Sequence, residues 1–142
     1  RWPAYERSKL ANLLFSYELA RRLAIAGSSV VPTAAHPGVC YTELNRHAPG
    51  YWLPPLRAVI NAGSRAVTQS AAAGALPSLR AATEPGVAPE SYFDPDGRNG
   101  RRGDPVLVES TAASHDRDAA RRLWAVSEEL TGVHWSLPDA PP

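Results

Sequence analysis

Three observations predict an α/β fold. A long amphipathic helical pattern opens the chain. A short β-branched run follows, closed by a His-Pro-Gly turn. Helical and strand-like stretches then alternate toward the end.

From about Pro3 to Ala26, the residues Leu10, Leu13, Leu14, Tyr17 and Ala24 recur at i, i+3, i+4 spacing, an apolar stripe on a helix. Pro3 suits the first turn, where its missing N–H has no partner to lose. Arg21 and Arg22 lie toward the negative end of the helix dipole, and Gly27 is placed to stop it. The next stretch, SSVVPTAA, predicts a strand over Ser29–Ala35. Pro32 has no N–H to give a sheet, so a bulge or a late start is expected there. The loop His36-Pro37-Gly38 then falls where α/β sheets bind ligands, beyond the carboxyl end of a strand, with backbone N–H groups expected to be exposed.

Further on, residues 43–56 form a Pro- and aromatic-rich crossing loop. Helix is expected from about Leu56 to Ala73, with a break near Gly74 and Pro77 and a short helix on to Ala82. SYF, Ser91–Phe93, reads as a last short strand before an Asp94–Gly97 turn, and GRNGRRGD as a solvated basic loop. A final amphipathic helix is expected over Asp116–Leu130, with Leu123, Trp124, Val126 and Leu130 inward and Gly132 as its stop, leaving 132–142 as a tail.

Composition narrows the function classes. The 142 residues are 44% hydrophobic and 20% charged with a net charge of +1, enough for a core and too balanced for a nucleic-acid partner. No apolar run approaches the roughly 20 residues of a membrane helix. The lone Cys40 excludes an internal disulfide, which makes a cytoplasmic setting the expectation. His36, His47, His115 and His134 lack metal-ligand spacing, no G-x-S-x-G occurs, and Cys40 reads as a small hydrophobe. With no methionine and Arg1 first, residues preceding Arg1 are expected.

The chemistry-bearing feature is Tyr5 followed four residues later by Lys9, the only lysine beside fourteen arginines. On a helix the two share a face. A phenol is a poor proton donor or acceptor at neutral pH, and an ammonium one turn away favours its ionised form. The pair has the makings of a general acid/base, with lysine donors left for a ligand hydroxyl.

Together these residues resemble the short-chain dehydrogenase/reductase family. Tyr5-Glu6-Arg7-Ser8-Lys9 matches its Y-x-x-x-K, and Pro37-Gly38-Val39-Cys40-Tyr41-Thr42 matches its P-G-x-x-x-T. The strings YERSKLANLLFSYEL, AAHPG, SYFDPDG, RRGDP and ARRLWAVSEELTGV look like the retinol-dehydrogenase-like and protochlorophyllide-reductase-like branch. The resemblance covers only the C-terminal half of the family's single domain, which implies the C-terminal half of a Rossmann-type doubly wound parallel sheet. It implies an NAD(P)-dependent oxidoreductase interconverting an alcohol and a carbonyl on a small hydrophobic substrate, NADP being the branch's preference. Tyr5 would exchange the proton, and Lys9 would tune it and hold the nicotinamide ribose. Pro37, Gly38, Val39 and Thr42 would line the cofactor, residues 43–56 with Tyr51 and Trp52 would cover the substrate, and no metal is implied. The family also implies that the Tyr–Lys helix is a place for homo-oligomer contacts. No G-x-G-x-x-G phosphate loop occurs in the 142 residues. The alternative expectation is therefore a non-catalytic fragment that binds cofactor poorly and acts, if at all, through association.

Overall fold

A computed structural model of the chain describes residues 2–40, 52–55, 57, 63 and 68–140. In chain order it contains α1 (Trp2–Ile25), β1 (Ala34–Ala35), α2 (Ala71–Thr83), β2 (Tyr92–Pro95), β3 (Pro105–Val108) and α3 (Arg117–Thr131), with 3₁₀ turns at Arg98–Gly100 and Ala112–His115. The strands form one sheet in the order β1-β2-β3. Ala34 donates to the Ser91 carbonyl and His36 to that of Phe93, two residues on in the same direction, so β1 and β2 run parallel. Asp96 donates to the Asp104 carbonyl across the hairpin that turns β3 back antiparallel. The α/β class stands, and the sheet fits part of a Rossmann-type fold.

The chain divides into two compact units: Arg1–Ala34, Pro85–Tyr92 and Glu109–Pro142 form the first; Ala35–Glu84 and Phe93–Val108 form the second. In the first unit α1 packs against α3 and the 112–115 turn. The expected stop operates: Gly27 takes φ +66, donates to Ala24, and is followed by Ser28 donating to Leu23, which caps two of the last carbonyls. Leu14 and Tyr17 are buried as the stripe required, whereas Ala24 is exposed. The stripe is continued by Glu18 and Arg22, two charges that mutual pairing makes compatible with burial.

Tyr17 anchors a hydroxyl cluster. Its Oη donates to Ser110 Oγ at 2.9 Å, and its ring stacks on His115 at 5.0 Å. Ser114 donates to the Thr111 carbonyl at 2.6 Å, so Ser110 must donate to Ser114, and His115 Nε2, 3.0 Å from Ser110 Oγ, must carry its proton toward it. Every group is satisfied, and His115 acts as donor rather than base. Tyr17→Phe is expected to cost about 1–2 kcal/mol, read from chemical denaturation, because it takes a donor from a partly buried oxygen.

The helix expected over Leu56–Ala73 lies mostly outside the described residues, and Thr68, Gln69 and Ser70 within it are not helical. Three further expectations change. No strand forms over Ser29–Val31; pairing starts at Ala34, the late start that Pro32 foreshadowed. Gly74 and Pro77 do not break α2, which Ser70 caps through its Oγ and which runs unbroken from Ala71 to Thr83. Both are buried, three residues apart on one face, where a missing side chain and a flat ring permit close approach. In α3 the inward residues are Ala120 and Trp124, while Val126 is half exposed and Leu130 is 80% exposed. The rotation follows from the indole, held between Phe15 (stacked, 5.1 Å) and the Arg22 guanidinium (4.5 Å). Asp116 caps α3 at its start, and Gly132, at φ +68, ends it as expected.

In the second unit α2 packs on β3, a strand the sequence reading passed over although PVLV is a β-branched run. Arg80 joins these elements: it lies over Phe93 at 5.5 Å, donates to the Pro105 carbonyl and pairs with Glu84. The hydrogen bond from Arg80, ahead of its charge, holds the Glu84 carboxyl below its usual range. Among the described residues no helix is long and apolar enough to cross a membrane.

Candidate active site

Tyr5 and Lys9 stand one turn apart on α1, in the first unit, with the Lys9 Nζ 5.3 Å from the centroid of the Tyr5 ring. The i, i+4 spacing and the regular helix set this proximity. Both side chains are open to solvent, Tyr5 at 51%. Ser8, between them in sequence, turns its hydroxyl back onto the Tyr5 carbonyl at 2.6 Å, so it is committed to the backbone.

Pro37, Gly38 and Val39 lie in the second unit and form one tightly held loop. His36 Nδ1 is 2.8 Å from Asp94 Oδ1 at the loop's start. The Pro37 carbonyl accepts from Gln69 Nε2 at 2.7 Å and from the Cys40 thiol at 3.0 Å. Val39 donates to the Arg101 carbonyl at 2.7 Å and accepts from the Gln69 N–H at 2.9 Å. A parallel bridge joins Cys40 to Gln69. Gly38, at φ +66, touches this scaffold so closely that a Cβ would fall 2.7 Å from the Arg101 carbonyl oxygen and 3.0 Å from Gln69 Nε2.

This corrects one expectation. The Val39 N–H is not on offer to a ligand, because the hairpin at Arg101 takes it. What the loop presents is shape: the exposed Pro37 ring and the 38%-exposed Val39 side chain. The basic loop expected to be merely solvated is the partner that fixes it. Cys40 is half-buried, its thiol tied to Pro37 and seated on Gly74. Thr42 and most of the 43–56 loop, Tyr51 included, lie outside the described residues; Trp52 is exposed.

The residues fit a nicotinamide nucleotide in part. In the first unit an exposed phenol beside an exposed ammonium suits a sugar hydroxyl and a reacting oxygen; in the second the Pro37–Val39 loop presents an apolar surface of its own. Sequence reasoning found the pair and the loop and missed Gln69, whose contacts at Pro37 and Gly103 are 32 and 34 residues away in the chain. Among the described residues no group of three or more His, Cys, Asp or Glu side chains is placed to hold a metal ion.

No protein-family profile matches the chain. Mouse retinol dehydrogenase 14 is 38% identical over 131 residues, covering 91% of this chain and 35% of its own length. Human retinol dehydrogenase 12 is 36% identical over 134 residues, 93% of this chain and 37% of its own. Human dehydrogenase/reductase SDR family member 13 is 38% identical over 133 residues, 92% of this chain and 31% of its own. The chain thus spans about a third of the length of the curated relatives it matches. A crystal structure of an uncharacterized protein from Mycobacterium paratuberculosis superposes with a TM-score of 0.61 at 33% identity, over 99% of this chain and 41% of that one.

Proposed function

From the premise that nine-tenths of this chain is similar to part of the retinol dehydrogenases of the short-chain dehydrogenase/reductase family, we propose that it is the proton-transfer and nicotinamide side of an NAD(P)-dependent oxidoreductase. The substrate class is a hydrophobic alcohol or the corresponding carbonyl compound. The observation that carries this reading is the Tyr5–Lys9 pair, held one turn apart and open to solvent on α1.

The nucleotide, when bound, supplies or accepts the hydride. The chain's own residues do the rest. The Tyr5 hydroxyl holds a proton for the substrate oxygen during reduction and takes it back during oxidation. The Lys9 ammonium, beside the phenol, favours negative charge on the Tyr5 oxygen while the proton is away and donates to the ribose. Pro37, Gly38 and Val39 form the wall that orients the nicotinamide, and Thr42 is assigned a cofactor hydrogen bond. NADP is the favoured nucleotide and the cytoplasm the favoured location.

The test is turnover of retinaldehyde with NADPH by the protein as its cell makes it. Tyr5→Phe is expected to lower turnover at least about a hundredfold with nucleotide binding retained. Parent-like turnover in that variant would remove Tyr5 from the chemistry.

A second reading applies to the 142-residue polypeptide on its own. With no G-x-G-x-x-G among its residues, it is expected to hold NADPH weakly and to turn over no substrate. An antibody raised to the RRLWAVSEELTGV segment discriminates: a native product at 15.2 kDa favours a non-catalytic chain, and one of about twice that mass or more favours an enzyme.

A further inference from the structure

We propose that Gln69 is a positioning residue for the cofactor loop: its side-chain amide and its backbone N–H together fix Pro37-Gly38-Val39 in the shape that receives the nicotinamide half of the nucleotide. The role rests on that loop being the nicotinamide side.

Gln69 makes three bonds that meet on this loop and its support. Nε2 donates to the Pro37 carbonyl at 2.7 Å, Oε1 accepts from Gly103 N–H at 3.2 Å, and the backbone N–H donates to the Val39 carbonyl at 2.9 Å. The amide orientation is dictated by its neighbours. One faces a carbonyl, which only accepts, and the other an N–H, which only donates, so a flipped amide would lose both bonds. The same hairpin also closes on the loop directly, through Val39 N–H to the Arg101 carbonyl. Gly38 sits between these contacts, with Gln69 Nε2 and the Arg101 oxygen both at the position its missing Cβ would crowd. Gln69 is thus the tie between two segments 32 and 34 residues from it in sequence. It fixes Pro37 and Val39 while leaving the Pro37 ring and Val39 side chain facing solvent. Gln69 immediately precedes Ser70, the cap of α2, so the helix start holds its backbone in place.

Nuclear magnetic resonance on the protein as its cell makes it tests this, with amide exchange and titration by nicotinamide mononucleotide as readouts. Gln69→Glu keeps an acceptor for Gly103 and loses the donor to Pro37. It is expected to retain the parent's thermal midpoint and its protection in α1, α2 and α3. Its Val39 amide should exchange about tenfold faster, and nucleotide binding should weaken about fivefold. Gln69→Ala should add faster exchange at Gly103. Parent-like affinity in Gln69→Glu alongside a faster Val39 overturns the positioning role. An affinity loss matched by equal loss of protection throughout α2 also overturns it, since that is plain destabilisation. Unchanged Val39 exchange in both variants removes the clamp but leaves the nicotinamide assignment standing. If the parent's Gly38 and Val39 signals do not respond to nucleotide at all, the assignment of the loop falls and this role with it.

Discussion

Replacing Glu18 by alanine should destabilise the first unit by about 3–5 kcal/mol, measured as a fall in the urea midpoint at unchanged slope. Glu18 is fully buried. It accepts from Arg21 at 2.9 Å and from Arg22 Nε at 2.8 Å. Arg22, itself buried, reaches on to Asp139 at 3.0 Å and lies over Trp124. Removing the carboxylate leaves the Arg22 guanidinium in the packed layer between α1 and α3 with only the exposed Asp139 as counter-charge. The pair's net worth is a separate matter from the penalty for breaking it. The swap Glu18→Leu with Arg22→Met should therefore fall within about 2 kcal/mol of the parent, because both desolvation costs vanish with the charges. A Glu18→Ala variant within 1 kcal/mol of the parent would show that α1 and α3 are not held through this carboxylate.

Gly74→Ala is expected to reverse sign with its background. Alanine is favoured over glycine in a helix interior by about 1 kcal/mol, which taken alone predicts stabilisation. Here the new Cβ would fall 2.1 Å from the Cys40 sulfur and 3.3 Å from the Pro37 carbonyl oxygen. The sulfur cannot simply swing aside, because its thiol is bonded to that same carbonyl. Overpacking should outweigh propensity and leave a net loss of about 2 kcal/mol in the second unit. With Cys40→Ala already present, the Pro37 carbonyl oxygen at 3.3 Å and the residue-40 Cβ at 3.5 Å remain, and a shift of a few tenths of an ångström relieves the closer one. In that background Gly74→Ala should be neutral or slightly stabilising, a coupling that a double-mutant cycle reads directly. Additive effects would mean that Cys40 does not sit on α2.

Local signals in the sequence were reliable, and distant ones were not. The α1 boundaries, the Gly27 and Gly132 stops, the start of α3 near Asp116 and the delay at Pro32 are all decided within a few residues, and each is where the pattern put it. Gly74 and Pro77 misled because their local cost is real, yet contacts from Cys40 and Pro37 make a narrow helix face useful at that point. Of the expected inward residues of α3, Trp124 is buried while Val126 and Leu130 are exposed, because Phe15 and Arg22, more than a hundred positions earlier, pack on the indole. The Tyr5–Lys9 spacing was legible as soon as a helix was. That the loop's Val39 N–H is taken by Arg101 could not be read at all, since nothing near either residue signals a partner in a distant hairpin.

The aromatic cluster of the first unit also makes that unit optically distinct. Trp124 is 3% exposed, stacked on Phe15 and edge-on to Trp135 at 5.8 Å, and its indole nitrogen is buried with no hydrogen-bond partner among the described residues. An indole in such surroundings emits at shorter wavelength than one in water, and rigid neighbouring rings give it a strong near-ultraviolet dichroism. Trp52, 80% exposed in the second unit, emits as a solvated indole in the folded and unfolded chain alike. Intrinsic fluorescence therefore follows the melting of the first unit with little signal from the second. The first unit can be watched on its own without attaching a dye.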